Sequence, residues 1–388
     1  MDISRLPRNK YIWLGFALLL LLALLTNLGY TQLQLEEPRR AIVSLEMHHT
    51  GNYIVPKINH FDYYNKPPVY NWVLIAFFKI FQSAEEWVIR LPTVCSLLTI
   101  AAINFFVIRR KFDTPTAFYT SLIFLTASNI LFYFSFQGEI DMFYSLIVYL
   151  QVICLLHFFQ QKQYAALFLI SYFLTAVGVL TKGIPSLAFQ AITILTIFIY
   201  YKRWRALFSP WNFVGILLMT SIIGGYFYLY NLENDPLPMI TRLITESSKR
   251  TIVEESWYNS LAQLYKFPLL LFTLMMPWSL MLFSAKIRQV WRSVLQHDWV
   301  RLCLLFVISN AVVYWLSPGT RDRYLYMFIP FISLIIYRLF NAGPNKFFNI
   351  VIIALEVIVL AGAVGIPFYS QGLSLLQNIS IAAFLFIS

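Results

Sequence analysis

Long apolar runs recur from one end of the chain to the other, parted by short polar or basic breaks. Most approach the ~20 residues that a helix needs to cross a bilayer. On this pattern the predicted spans are 11–29, 87–108, 115–135, 142–160, 164–181, 184–201, 211–230, 267–285, 299–316, 324–340 and 346–368. A last run, 373–388, is apolar but short, and reads as a twelfth span or a truncated one. The run 69–82 is too short to cross and reads as an interfacial or re-entrant piece. The predicted fold class is an all-α polytopic membrane protein of 11 to 12 transmembrane helices, with interfacial helices in the first outer loop.

Two polar breaks are long, 30–86 and 231–266. The second contains "MITRLITESSKRTIVEESWYNSL", whose apolar positions are spaced like an amphipathic helix lying on the membrane, which suggests a lid. Residues 1–388 otherwise read as a single transmembrane domain.

Composition agrees with the pattern: 59% of the 388 residues are apolar and 12% charged, whereas soluble domains carry about a quarter charged residues. Charge adds orientation. With the Ser4–Lys10 end inside, the basic breaks at 109–111, 202–205 and 286–301 all fall on the cytoplasmic side, as the positive-inside rule requires. That side holds 16 Lys and Arg against Asp2, Asp113 and Asp298, and the other holds 13 against 14 acids. The net charge of +11 therefore reports topology rather than affinity for nucleic acid. The first run lacks a small-residue cleavage pattern and reads as an uncleaved anchor. Cys95, Cys154 and Cys303 all fall in predicted spans and suggest no disulfide framework.

The outer breaks concentrate the polar chemistry. In "LEEPRRAIVSLEM", Pro38 suits a first helical turn, which puts Glu36 and Glu37 where the helix dipole favours negative charge. Glu36, Arg39 and Arg40 are spaced i, i+3 and i+4 and share one helix face; a surface ion pair on an interfacial helix is the plainer reading. In "DYYNKPPVYNW" two prolines stiffen the turn and present Lys66 at a defined place, where a fixed ammonium suits a phosphate. The surrounding Tyr63, Tyr64, Tyr70 and Trp72 also fit an aromatic belt at the membrane surface. Glu139 and Asp141 open a span, where Asp141 reads most simply as a helix cap. Lys182, Arg321 and Arg323 are outward-facing cations that headgroups alone would explain. Glu356 is the one acid inside an apolar run, which marks function or a buried partner. His48 and His49 are adjacent rather than at ligand spacing, and no Gly-rich phosphate loop occurs. The residues therefore require no cofactor and leave a divalent metal open.

Taken in order, these breaks resemble the lipid-linked-sugar glycosyltransferases of the GT-C superfamily, in the branch that joins protein O-mannosyltransferases to the bacterial aminoarabinose transferases that modify lipid A. That branch carries Asp-Glu-x-Arg, then Gly-x-(Trp/Tyr)-x-x-Pro, then Lys-Pro-Pro-(Leu/Val)-Tyr-x-Trp. Here these stand as Glu36-Glu37-Pro38-Arg39, "GNYIVP" from Gly51 to Pro56 and "KPPVYNW" from Lys66 to Trp72. "RLPTV" from Arg90, "EIDMF" from Glu139, "LTKGIPSL" from Leu180 and "RDRYLYMFIPF" from Arg321 are similar to later landmarks of the family, so the resemblance covers roughly residues 10–340.

The resemblance implies transfer of a hexosyl or pentosyl group from a polyprenyl-phosphate donor, with inversion, to an acceptor in lipid A, another glycan or lipid, or a protein. It implies a multi-pass protein of the bacterial inner membrane, N-terminus cytoplasmic, with 30–86 as the catalytic loop and the site facing the periplasm. No nucleic acid is expected as a partner. Lys66, Arg39, Arg321 and Arg323 would meet the donor phosphate; Tyr63, Tyr64, Tyr70, Lys182 and Tyr324 would seat substrate; Glu36, Glu37 and Asp141 would carry the catalytic carboxylates. The chain departs from the branch in three ways: Glu36 replaces the Asp, Asn65 stands where aminoarabinose transferases often have Glu, and the chain is shorter than the longer relatives. The first departure leaves open which Glu is the base, and the second weakens the case for a metal. A transporter of lipid-linked sugars and a non-catalytic subunit of the same fold are the rival readings. Against a transporter, the charges gather at one face rather than at the midplane, and no internal repeat is visible.

Overall fold

Pro38 stands in the first turn of helix α1 (Glu37–Thr50), and Gly51 ends that helix in the left-handed region at φ 72°. The computed structural model describes residues 21, 24–25, 28–248, 257–284, 296–317 and 320–341. After α1 come a short antiparallel hairpin, β1 (Lys57–Ile58) with β2 (Phe61–Asp62), and α2 (Val69–Phe81), whose 13 residues cannot cross a bilayer. The bundle follows as α3 (Glu86–Lys111), α4 (Thr114–Leu125), α5 (Ser128–Phe132), α6 (Ile140–Gln161), α7 (Tyr164–Lys182), α8 (Pro185–Tyr200) and α9 (Pro210–Asn231). Next are α10 (Leu237–Ser248), α11 (Trp257–Leu274), α12 (Asp298–Trp315) and α13 (Ile329–Asn341). Among the described residues five helices are long and apolar enough to span a membrane: α3, α6, α7, α9 and α12. The protein is thus the all-α polytopic membrane protein that its hydrophobic pattern predicts.

Three predicted spans take a different form. The run 115–135 is not one helix, because the chain bends by 59° between 114–125 and 128–136. At the break Thr126 turns its hydroxyl back onto the Leu122 carbonyl at 2.7 Å, and the freed Ser128 N–H finds the Met276 carbonyl at 2.8 Å. The run 267–285 belongs to α11, which starts ten residues earlier and stops at Leu274; Pro277 precedes a 3₁₀ turn over Trp278–Ser284. The run 324–340 opens with 3₁₀ turns at Asp322–Tyr324 and Tyr326–Phe328 before α13 begins. The predicted spans 346–368 and 373–388, Glu356 among them, lie outside the described residues, as does most of 11–29.

In the bundle α7 packs against α6, α8 and α9; α3 lies on α4 and α6, α12 on α8 and α13 on α4. Lipid tails are as apolar as leucine, so burial alone does not choose which helix faces meet. Interhelical hydrogen bonds help to choose them. Gln151 of α6 donates to Gln190 of α8 at 2.7 Å, and Gln190 donates to Ser171 of α7 at 2.7 Å. Asn310 of α12 donates to Thr193 of α8 at 3.0 Å, and Tyr149 of α6 to Asn104 of α3 at 3.0 Å.

Candidate active site

The segment that follows α1 is laid across the bundle by polar contacts to its backbone. Asn52 accepts from the N–H groups of Ile54 and Val55, both at 2.9 Å, forming a side-chain turn. Trp72 of α2 donates its indole N–H to the Tyr53 carbonyl at 2.7 Å, and Tyr226 of α9 donates to the Ile54 carbonyl at 3.0 Å. Val55 then packs with Leu180, Tyr226, Tyr230, Met239 and Leu243, which ties the segment to α7, α9 and α10. Lys66 and its two prolines hang between this anchor and α2, which starts at Val69.

These elements enclose a cleft of about 170 Å³ at one end of the bundle. Glu36, Arg39 and Arg40 come from the start of α1, Asn65 and Lys66 from the turn before α2, and Glu139, Ile140 and Asp141 from the start of α6. Lys182 comes from the end of α7, Arg242 and Glu246 from α10, and Arg323 and Tyr324 from the turn before α13. Six cations face four carboxylates, so the wall carries an excess of positive charge suited to an anion. A second, wider depression of about 470 Å³ adjoins the cleft through Arg39, Asn65 and Arg242, and adds Ile58, Asp62, Tyr63, Tyr64 and Pro238.

The carboxylates of the cleft are all matched with cations. Arg39 lies 2.7 Å from Glu36 and Arg242 3.1 Å from Glu246. Lys182 donates to Asp141 at 2.5 Å and stands over the rings of Tyr144 and Tyr324, each centroid 4.8 Å away. That pairing corrects the helix-cap reading of Asp141: the residue at the cap position is Glu139, which makes no capping bond. Arg323 lies 3.3 Å from both oxygens of Glu139. Burial, and then the Asp141 charge beside it, push the Glu139 carboxyl up to about 7. Among the described residues no three His, Cys, Asp or Glu side chains gather as a metal's ligand set. Ammonium and guanidinium groups supply the positive charge that the cleft wall presents to an anion.

Glu37 has another place. Its carboxylate accepts from Arg90 Nε at 2.9 Å and Nη2 at 3.0 Å, from the Gln34 N–H at 2.7 Å and from the Gly138 N–H. Arg90 spends its remaining donors on the carbonyls of Leu28, Thr31 and Gln32, at 2.7–3.0 Å. Both side chains are only 1% exposed. The backbone at 138 can come this close because glycine stands there: a Cβ would lie 2.8 Å from Ile89 Cγ2 and 2.9 Å from the Ile89 carbonyl. Glu37 is thus a buried brace between α1, α3 and the start of α6.

The structure brings seven of the expected residues to the cleft: Glu36, Arg39, Lys66, Asp141, Lys182, Arg323 and Tyr324. Tyr63 and Tyr64 line the wider depression beside it, and Tyr63 also accepts from Arg40 at 2.9 Å. Three do not reach it. Glu37 is closed off by Arg90, Tyr70 is buried among Ala41, Leu74, Phe78 and Ile140, and Arg321 is exposed outside it. Sequence reasoning gave no site role to Arg40, Asn65 and Glu139, though it noted all three, and did not single out Arg242 or Glu246. Two signals pointed to three of them: the i, i+4 spacing of Glu36 with Arg40, and, for Arg242 and Glu246, the polar face of the amphipathic segment that became α10.

Known proteins give the same fold and a partial sequence match. The family model of dolichyl-phosphate-mannose-protein mannosyltransferase matches residues 65–226. An undecaprenyl phosphate-alpha-4-amino-4-deoxy-L-arabinose arabinosyl transferase of Yersinia enterocolitica is 26% identical over 220 residues, 53% of this chain and 38% of that protein. The protein of the same description from Edwardsiella ictaluri is 23% identical over 318 residues, 81% of this chain and 56% of that protein. The chain thus spans about half the length, or less, of these curated relatives. ArnT from Cupriavidus metallidurans superposes with a TM-score of 0.72 in the apo state, at 17% identity, over 97% of this chain and 76% of that one. Bound to undecaprenyl phosphate, the same protein superposes with a TM-score of 0.75 at 18% identity, over 98% of this chain and 76% of that one. The chain therefore has the fold of ArnT, and in sequence it is similar to the mannosyltransferase family model over residues 65–226 and to the two arabinosyl transferases over the shares given above.

Proposed function

We propose that the chain is an integral membrane glycosyltransferase that moves a sugar, with inversion, from a polyprenyl-phosphate donor to an acceptor in lipid A, another glycan or lipid, or a protein. The observation that carries this reading is the cleft itself, where Lys66, Arg39 and Arg323 converge with the carboxylates Glu36 and Asp141. The leaving group departs as a phosphate anion, and cations held in place before the reaction stabilise its growing charge without reorganising. Lys66, Arg39 and Arg323 are assigned to that phosphate, Glu36 and Asp141 to the reacting hydroxyl or sugar, and Lys182 to the orientation of Asp141. Tyr324 walls the cleft, while Tyr63 and Tyr64 wall the wider depression, where an acceptor has room.

Segment 30–86 is the catalytic loop in this reading, and 231–266 is a lid whose helix α10 reaches the cleft with Arg242 and Glu246. The relatives and the basic breaks support an inner-membrane protein with its N-terminus in the cytoplasm and its cleft on the periplasmic side. The clustering of charge at one end of the bundle favours an enzyme over a transporter, which would place its polar groups near the midplane.

The test is turnover of a polyprenyl-phosphate sugar pool by the purified protein, with envelope lipids and glycans as acceptors. Wild type is expected to release polyprenyl phosphate. Glu36→Gln is expected to lose about 10²-fold of that rate, because its carboxylate orients the reacting hydroxyl and holds Arg39 at 2.7 Å beside the phosphate site. Glu36 is partly exposed, so the variant should melt like wild type. Absence of turnover in wild type with lipid still bound overturns the reading in favour of a transporter or non-catalytic subunit. A second expectation concerns α10: Arg242→Ala removes a guanidinium from the cleft rim, where it donates to Asn65 at 3.2 Å. Affinity for undecaprenyl phosphate should fall by about 3- to 10-fold, the range of a partly exposed charge contact, with the effect shrinking as salt is raised.

A further inference from the structure

Glu139 is the one cleft carboxylate that is deeply buried without a short ion pair. Its side chain is 2% exposed, and Arg323 approaches it symmetrically at 3.3 Å, a long contact for opposite charges. By contrast Glu36 is pinned to Arg39 at 2.7 Å, and Asp141 to Lys182 at 2.5 Å. A carboxylate held that closely by a cation is a poor base, because taking a proton means giving up the pair. Glu139 gives up least. It lies in the cleft wall next to Asp141, and among the described residues the charged groups that act on it most are Asp141 on α6, Arg323 in the turn before α13, and Arg40 and Glu36 on α1, with Lys66, Arg39, Lys182, Arg242 and Glu246 lining the same cleft. Tyr70 of α2 also stands in its field, and Lys182 reaches the neighbouring Asp141.

We infer that Glu139 takes the proton of the acceptor's O–H during transfer and, once neutral, releases Arg323 toward the departing phosphate. This rests on the transferase reading above. The acceptor oxygen forms the new bond to the anomeric carbon, and the bond from that carbon to the phosphate oxygen breaks. The electron pair of the broken bond leaves on the polyprenyl phosphate, and the acceptor proton ends on Glu139. No oxidant, reductant or further reactant is needed. Neutralising Glu139 removes the one carboxylate that Arg323 contacts directly, while Asp141, whose charge also acts on Arg323, stays bonded to Lys182. The guanidinium then meets the phosphate at the moment its charge appears.

The two halves of this inference have opposite pH dependences. Below about 7 Glu139 is protonated, so the base is lost and turnover falls, while the anion site gains a positive charge and binds a phosphate diester more tightly. The experiment measures both in wild type and Glu139→Gln between pH 5.5 and 8.5, with thermal melting to check folding. The binding probe is undecaprenyl phosphate methyl ester, a diester whose single charge does not titrate in that range. Glu139→Gln is expected to lose about 10²-fold or more of turnover, to bind the diester as well as or better than wild type, and to bind it independently of pH. Glu139→Asp should recover part of the rate. Wild-type turnover in Glu139→Gln overturns the inference, and so does one common pH dependence of diester binding in both proteins. If wild type turns over no donor, the transferase reading fails, and with it the proton transfer. The release of Arg323 is then decided by the binding curves alone.

Discussion

Lys66→Ala should lower transfer by about 10²- to 10³-fold, the loss expected when one fixed donor facing a developing oxyanion is removed. Pro67 and Pro68 restrict the backbone on the C-terminal side of Lys66, and the anchored Tyr53–Ile54 segment precedes it, so the lysine stem leaves the chain at a defined place in the cleft wall. Alanine leaves that backbone intact and removes the ammonium with its stem, so thermal melting is measured beside the rate to separate lost chemistry from lost folding. Lys66→Arg should recover part of the rate: it keeps the charge but replaces a compact ammonium by a planar fork of different reach. Arg39→Ala should cost less than Lys66→Ala, because Arg39 is 42% exposed and already paired with Glu36, where water screens its charge. The comparison is read from initial rates on a polyprenyl-phosphate sugar pool and from the affinity for undecaprenyl phosphate. An unchanged rate in Lys66→Ala would remove this residue from the phosphate site.

What the sequence revealed of this site follows the range of the interactions that make it. The Lys66 turn was legible because its cause is local: two prolines fix the chain on either side of one peptide. The pairing of Glu36 with Arg39 was legible because helix geometry alone puts i and i+3 together. The partner of Asp141 was not legible, because a carboxylate in a first helical turn looks like a cap whether or not a lysine 41 residues away arrives to claim it. The arrival of Lys182 depends on how α6 crosses α7, and side-chain packing along both helices sets that crossing. Arg242 and Glu246 were hidden for the same reason: an amphipathic period shows that a helix has two faces, not which residues across the bundle its polar face will meet. The bend after Leu125 was missed because hydrophobicity continues through it, while the partner that makes the break tolerable, the Met276 carbonyl, lies far along the chain.

Glu37→Gln and Arg90→Met should each destabilise the protein by about 3–5 kcal/mol, because each leaves one buried charge without its partner. Glu37 meets Arg90 across 53 residues of sequence, and the pair closes the loop that carries Glu36, Arg39 and Arg40 onto α3. In Glu37→Gln the guanidinium keeps its three carbonyls but loses its counter-ion; in Arg90→Met the carboxylate keeps only the Gln34 and Gly138 N–H groups. The double variant should be less damaging than the sum of the two, since no charge is stranded. It should still fall below wild type by about 1 kcal/mol for each carbonyl of Leu28, Thr31 and Gln32 that loses its donor. Thermal unfolding of the four proteins in one detergent gives the coupling directly. The same variants separate a brace from a base. A brace predicts that Glu37→Gln loses activity in step with stability and that lowering the temperature restores some of it. A catalytic base predicts a wild-type melting curve with transfer abolished at every temperature, which would return Glu37 to the reacting groups despite its four filled hydrogen bonds.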